Sequence, residues 1–283
     1  MKKKIETVKT LLDALPFIKE FRNEIVVIKY GGSAQTSTEL KEKFAEDILL
    51  MYLVGIKPVI VHGGGSKITE MLDALNIETK FIEGQRVTTK EVMRIAEMIL
   101  SGEINKEIVS LLNSHGAKAI GVSGKDAHFI TAKAKDFAKW GLTGNINSVK
   151  PIVISKLIAD KFVPVIAPIA AGEEMGHPGF NINADLCASY VAKAIGANKI
   201  IFLTDTPGVL NKDKELLPTL TRAEVDALKA DGTINGGMVP KVDACLEAID
   251  GGVTKAHIID GRLEHSMLLE LFTSEGVGTQ IIK

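Results

Sequence analysis

Two stretches constrain the fold most. Ile25 to Gln35 reads IVVIKYGGSAQ, and Pro58 to Ile68 reads PVIVHGGGSKI. Each is a Val- and Ile-rich run, too short for a helix, that stops at adjacent glycines, so each reads as a buried strand ending in a glycine turn that opens a helix. Similar runs recur at Ala119 to Ser123, Val163 to Ala167, Ile200 to Thr204 and His257 to Asp260. Segments with helical spacing lie between them, at Thr38 to Gly55, Lys90 to Leu100, Asp185 to Ile195, Arg222 to Lys229 and Val239 to Ile249. That alternation predicts βαβ units, and hence an α/β fold whose largely parallel sheet is covered on both faces.

Two regions depart from the rhythm. Residues 128 to 149 alternate in HFITAKAK and carry turn residues in GLTGNIN, which predicts an antiparallel hairpin beside the main sheet. Gly172 to Gly179 gathers glycines, a proline and charges between two βα blocks, and is the expected boundary between lobes. Ahead of the first strand, Ile5, Val8, Leu11, Leu12, Leu15, Ile18 and Phe21 line one face of a helix that Pro16 kinks or divides. That stripe needs a partner, on its own subunit or on another.

A chain of 283 residues, 46% of them hydrophobic, can bury a substantial core. With 34 basic and 35 acidic residues, its charge of −1 offers no general attraction to nucleic acid or to an anionic membrane. Small molecules are the expected partners. Cys187 and Cys245 have neither the spacing of a zinc or redox site nor the numbers of a disulfide framework, which fits a reducing cytoplasmic setting. The opening MKKK imitates a signal peptide, but Asp13 and Pro16 break the apolar run after it and no cleavage site appears. The most apolar window, FVPVIAPIAAG at 162 to 172, falls short of the roughly twenty residues that span a bilayer.

Glycine at a strand-to-helix turn permits positive φ and lets backbone N–H groups approach a ligand, and the helix after it offers an anion unpaired donors and a partial positive charge. Gly31, Gly32, Gly63, Gly64 and Gly65 are therefore candidates to hold a phosphate or carboxylate; plain tight turns use the same residues. Neither turn is a Walker A loop or a Rossmann fingerprint. Lys29 ends its strand at the edge where open α/β sheets bind ligands, so its ammonium either faces an anion or snorkels into water. Arg86, in FIEGQRVTTKEV, carries the planar fork that grips a carboxylate, as any surface arginine also does. Asn181 and Asn183 share one side of an extended segment and suit an amide or carboxylate ligand. Asp185 heads a helical run, where an aspartate also serves as a plain cap. Thr204 and Asp205 open the turn TDTPGVL, and GGMVPKV brings Lys241 into the first turn of a helix, electrostatically misplaced unless an anion sits nearby. Two lysines converging on a transferring phosphoryl group would neutralise its oxygens. The six histidines form no metal-binding set, so no protein-held metal is expected, and no GxSxG elbow is present.

Together IKYGGSA, VIVHGGGSKI, FIEGQRVT, SGEINKEIV, NINADLCA, LTDTPGVL and GGMVPKV resemble the amino acid kinase family, over essentially all of residues 25 to 283. Within it they are most similar to the members that phosphorylate N-acetyl-L-glutamate. The resemblance implies an open αβα sandwich, with an acceptor-substrate lobe at 25 to 175 and an ATP-binding lobe at 176 to 283. It implies transfer of phosphate from ATP, with Mg2+, to the acceptor's side-chain carboxylate. Carried over by position, Lys29 and Lys241 would stabilise the transition state, with Asp185 holding both ammonium groups. Gly64, Gly65, Arg86, Asn181 and Asn183 would bind N-acetylglutamate. Gly31 and Gly32 would cradle the phosphoryl group, with Thr204, Asp205, Gly236, Gly237 and Met238 facing ATP. The helix at 1 to 24 and LEHSMLLELFTSEGVGT near the C-terminus resemble an arginine-inhibited branch, which implies a hexamer built as a trimer of dimers. Lys199, His265, Glu275 and Gly278 would then contact L-arginine.

Overall fold

The computed structural model describes residues 2–35 and 37–283, and Met1 and Thr36 fall outside them. The six expected strands form the parallel centre of one sheet. They run in the order Lys255–Asp260, Lys199–Thr204, Ile25–Tyr30, Lys57–His62, Val163–Ala167 and Ala119–Ser123. Every residue of Lys199–Thr204 and of Val163–Ala167 is buried, which requires cover on both faces and accounts for runs that do not alternate. Ala184–Ala194 and Met238–Asp250 pack on one another and on the Lys199–Thr204 side of the sheet. Thr38–Leu53 and Asn105–Ser114 do the same on the Lys57–His62 side. This is the α/β architecture expected.

Two further strands extend the sheet to eight: Thr279–Ile282 lies antiparallel to Lys255–Asp260, and Thr219–Thr221 pairs beyond it. Lys90–Leu100 was expected to end at Leu100, but the helix continues to Ser114 through a π-helical segment, Met98–Ile104. A π turn adds a residue to the repeat, so the 3.6-residue periodicity lapses where the helix does not. The hairpin is present, as Ile130–Ala134 paired antiparallel with Thr143–Val149. It does not join the main sheet, and instead builds a separate four-stranded sheet with Ile169–Ala170 and Phe180–Ile182. Gly172 to Gly179 joins those last two strands, which pair antiparallel, so the expected boundary coincides with a connection inside the second sheet.

At the N-terminus the helix is divided, into Lys2–Asp13 and Leu15–Phe21, with Pro16 in the first turn of the second piece, where a missing N–H costs nothing. Phe21 is buried, and Phe17 packs against the core. Ile5, Val8, Leu11 and Leu12 are each at least half exposed, so within one chain the stripe is covered only at its C-terminal end. No helix among the described residues is long and apolar enough to cross a membrane.

Candidate active site

The site is built where the strands Ile25–Tyr30 and Lys57–His62 end. They pair in parallel up to Tyr30 opposite His62, so their glycine turns emerge side by side. Gly63 N–H donates to the Tyr30 carbonyl at 2.9 Å. The first turn leads into a short 3-10 segment, Gly32–Gln35, and the expected helix starts only at Thr38, capped by Ser37 Oγ. The second turn opens the helix Gly65–Ala74 directly, with no side chain capping it, so its first N–H groups remain free for an anion. Glycine is obligatory at Gly31, because a Cβ there would lie 2.6 Å from the Leu203 carbonyl oxygen and 3.2 Å from Lys29 Nζ. At Gly64 a Cβ would lie 2.3 Å from Ile104 Cδ1, whereas at Gly65 it would meet nothing within 4 Å.

Lys29 neither snorkels nor stands alone: its Nζ lies 2.9 Å from Asp185 Oδ1, and both side chains are about nine-tenths buried. Asp185 is free for this role because Asn183 caps the helix instead, its Oδ1 accepting from Asp185 N at 2.9 Å and Leu186 N at 3.1 Å. The cap therefore occupies the Asn183 oxygen that was expected to face a ligand. Lys241, half-buried, sits in the first turn of Met238–Asp250, a helix tied to that of Asp185 by Ser189 Oγ donating to the Ala244 carbonyl at 2.7 Å. Asp185 was expected to hold both ammonium groups. Its ion pair is with Lys29, and Lys241 lies beyond the 4.0 Å ion-pair distance. Lys241 and Asp185 still act on one point: burial and then Asp185 push the Cys245 thiol well up, and Lys241 opposes them.

Arg86 is buried, and its guanidinium holds the second turn in place. Nη2 donates to the Gly65 carbonyl at 2.9 Å and to Thr69 Oγ1 at 2.7 Å, and Nη1 to Thr79 Oγ1 at 3.1 Å. The Phe81 ring lies against it, 4.6 Å away. Burial lowers its pKa and the Asp73 carboxylate opposes that from a distance; among the described residues it makes no close ion pair. Thr143 Oγ1 donates to the Arg86 carbonyl at 2.6 Å and lies 3.0 Å from Thr88 Oγ1, which accepts from Asn181 Nδ2 at 3.2 Å. This chain joins Arg86 to Asn181 across two sheets. The Thr88–Thr89 pair reads in the sequence as a cap for the next helix, and Thr89 caps it, Oγ1 accepting from Val92 N at 3.2 Å; the part of Thr88 in this chain, and Thr143 altogether, were not foreseen.

Thr204, at the end of the neighbouring strand, donates from Oγ1 to Asp205 Oδ1 at 3.1 Å, and Asp205 is exposed. Gly236, at φ 52°, and Gly237 precede Met238 with open space around them. Also unforeseen was His62, wholly buried at the end of its strand, with Nδ1 3.0 Å from the Gly63 carbonyl oxygen and Nε2 3.2 Å from Asn105 Nδ2.

Three of the residues assigned to an inhibitor converge elsewhere. Lys199, Glu275 and Gly278 line a cavity of about 200 Å³ with Phe17, Glu20 and Phe21 of the N-terminal helix. Lys199 is brought down to about 8 by burial and by Lys255, and lies over the Phe21 ring at 4.2 Å. His257, not anticipated, stands in the same cavity, with Nδ1 2.6 Å from Glu270 Oε1. Burial alone would raise Glu270, but His257 and the N–H groups of Val277 and Gly278 hold it low. His265 does not join them. It faces Asp47, Nδ1 to Oδ1 at 2.5 Å, against the helix Thr38–Leu53, because its left-handed backbone (φ 57°) starts the helix Ser266–Phe272 there. A larger cavity of about 650 Å³ lies by the opposite strand ends, lined by Ile25, Lys57 and Phe162, and includes none of these residues.

A sequence profile of the amino acid kinase family matches residues 24–260. The chain belongs to that family. A family member from Sulfurimonas denitrificans, named acetylglutamate kinase, is 85% identical over 281 residues, covering 99% of either chain. Among solved structures, the N-acetylglutamate synthase of Neisseria gonorrhoeae complexed with coenzyme A and N-acetyl-glutamate superposes with a TM-score of 0.85 at 24% identity. That match covers 98% of this chain but 63% of the synthase. Carbamate kinase of Giardia lamblia bound to AMP-PNP gives 0.71 at 20% identity, over 92% and 99% of the two chains. At those identities the structures establish the fold.

Removing one member of the buried pair leaves the other charge uncompensated. Lys29→Met should lower stability by about 3–5 kcal/mol, and adding Asp185→Asn should recover most of that loss without restoring activity. Denaturant melts of the two variants check it. His62 titrates separately: burial lowers it from 6.5 to about 4. The unfolded chain then takes up a proton as pH falls through 6.5 while the folded one does not until about 4. Across that window stability should fall by about 3 kcal/mol from this group alone. Asp47, raised by burial to about 6, opposes it there, so the contrast with His62→Asn isolates the histidine: its acid limb should be flatter in melts between pH 7 and 4.

Proposed function

We propose that the chain transfers the γ-phosphoryl group of ATP to the side-chain carboxylate of N-acetyl-L-glutamate, a cytoplasmic step of arginine biosynthesis that yields N-acetylglutamyl 5-phosphate. The observation that carries this reading is the buried Lys29–Asp185 pair beside two glycine turns, in a chain 85% identical from end to end to a protein named acetylglutamate kinase.

The chemistry asks for no base. A carboxylate is already ionised at neutral pH, so its oxygen attacks the γ-phosphorus, the bond from that phosphorus to the bridging oxygen breaks, and ADP leaves with the electron pair. No proton moves. Positioning and charge neutralisation remain, and these are what Lys29, Lys241 and the N–H groups of the two turns supply. Asp185 fixes the direction of Lys29. Gly31 and Gly32 line the path of the phosphoryl group, while Thr204, Asp205 and Gly236 to Met238 stand on the side assigned to ATP. Arg86, Asn181, Gly64 and Gly65 serve the acceptor, with Asn183 restricted to its amide N–H groups. The acceptor lobe is assigned to 25–175 and the nucleotide lobe to 176–283, with Asn181 and Asn183 reaching the acceptor from the second segment through the strand Phe180–Ile182, which pairs with Thr143–Val149. MgATP is the substrate form. The Mg2+ would be carried in on the phosphate oxygens of ATP and on water. With hydroxylamine trapping, hydroxamate should form from N-acetylglutamate and not from glutamate, aspartate or carbamate, nor ADP be released with UMP. Arg86→Lys should raise the acceptor KM by about tenfold or more and leave that for ATP near its original value. Turnover with another acceptor would reassign Arg86 and keep the lysine mechanism; no turnover at all would favour a non-catalytic sensor on the same fold.

L-arginine is the proposed inhibitor. The cavity beneath the N-terminal helix offers Glu20, Glu270 and Glu275 to a guanidinium and Lys199 to a carboxylate, and the exposed stripe Ile5, Val8, Leu11 and Leu12 suits pairing between dimers in a hexamer. Deleting residues 1 to 22 should abolish arginine inhibition and shift the elution volume from hexamer to dimer. Undiminished inhibition at an unchanged volume would refute it.

A further inference from the structure

We propose that His62 and Asn105 are positioning residues that fix the direction of the Gly63–Gly64 peptide, so that the second glycine turn presents its N–H groups to the reacting anion; the assignment rests on the kinase reading above. A histidine buried in an apolar strand is ordinarily a packed core residue whose polar atoms are satisfied wherever convenient. Here the partner is the carbonyl of the next residue, Gly63, at 3.0 Å from Nδ1. Gly63 is thereby held from both sides, since its N–H already goes to the Tyr30 carbonyl at 2.9 Å. In a trans peptide the carbonyl and the next N–H point opposite ways, so anchoring the Gly63 oxygen on the imidazole turns the Gly64 N–H away from it. Among the described residues that N–H has no backbone or side-chain acceptor, and the Gly65 N–H that opens the helix is in the same condition.

The tautomer is set by the neighbours. Nδ1 faces a carbonyl and must donate, so Nε2 must accept, and Asn105 Nδ2 supplies a donor at 3.2 Å. Asn105 cannot be turned over, because Nδ2 also donates to the Val165 carbonyl at 2.9 Å and Oδ1 accepts from Lys106 Nζ at 3.0 Å. Asn105 is delivered by the π-helical segment that ends at Ile104, and the same segment presses Leu100 and Ile104 against the space a side chain on Gly64 would fill. Burial keeps the imidazole neutral at physiological pH, as a donor at one nitrogen and an acceptor at the other requires.

Two variants separate positioning from packing. His62→Asn places an amide N–H near the Nδ1 position but cannot reach Asn105. His62→Gln reaches the Nε2 position and loses the donor to Gly63. Positioning predicts that kcat of His62→Asn exceeds that of His62→Gln by about tenfold or more, with the ATP KM of both within about twofold of the parent. His62→Asn should nonetheless melt no higher than His62→Gln, since it leaves the Asn105 side unfilled. If kcat instead ranks with melting temperature, or the two variants turn over equally, the proposal fails while the kinase reading stands. Parent enzyme that phosphorylates none of the acceptors overturns the kinase reading, and the proposal with it.

Discussion

Six parallel strands that run the same way must all finish along one edge, and that constraint places everything else. It brings the glycine turns after Tyr30 and His62 into contact, sets Thr204 next to them, and leaves Lys29 between Val61 and Phe202, where no neighbour in the sheet can pair with an ammonium. The charge has to reach past the edge, and Asp185 meets it there at 2.9 Å. Asn183 makes this arrangement available by taking over the cap, and Ser189 fastens the Asp185 helix to the one that carries Lys241. One ion pair thus ties the central strand to both helices of the neighbouring layer.

Stability is a poor reason to keep such a pair, because desolvation offsets most of the attraction and well-packed apolar residues often do as well. Charge balance gives a better one. Lys29, Lys241 and Arg86 carry three positive charges, and only Lys29 has a carboxylate in ion-pair contact, Asp185, with Asp73 acting on Arg86 from a distance. That surplus suits a site that gathers a carboxylate and a phosphate chain, two anions that repel one another until cations lie between them.

The six core strands were legible because two-sided burial writes an unbroken Val and Ile run. Thr219–Thr221, the edge strand, and Thr279–Ile282 beside it were not, being short strands with threonine and glutamine in them. Lys29, Asp185 and the glycines could be named from position and residue type, but their partners could not: aspartate and asparagine both cap helices, and only the packed structure assigns the cap to Asn183. His62 gave no signal, since a lone histidine after valines looks like any core residue, and the π turn that brings Asn105 to it erased the helical period around it. His265 shows the limit of arguing by resemblance. Its neighbours in sequence reach the cavity by Lys199, while a left-handed residue at the start of a short helix sends His265 to Asp47.

The cavity and the apolar stripe meet at Phe21. That ring is buried, lines the cavity and lies under the Lys199 ammonium, and it is also the last residue of the helix whose other end is bare. An occupant of the cavity would touch the root of the helix at Phe17, Glu20 and Phe21, and any preference it had for one set of the helix would be matched by an equal effect of that set on its affinity. Linkage makes the two effects equal in free energy. The helix also has a fixed end, since Leu15–Phe21 packs on Ser266–Phe272, while Pro16 marks where the exposed arm begins.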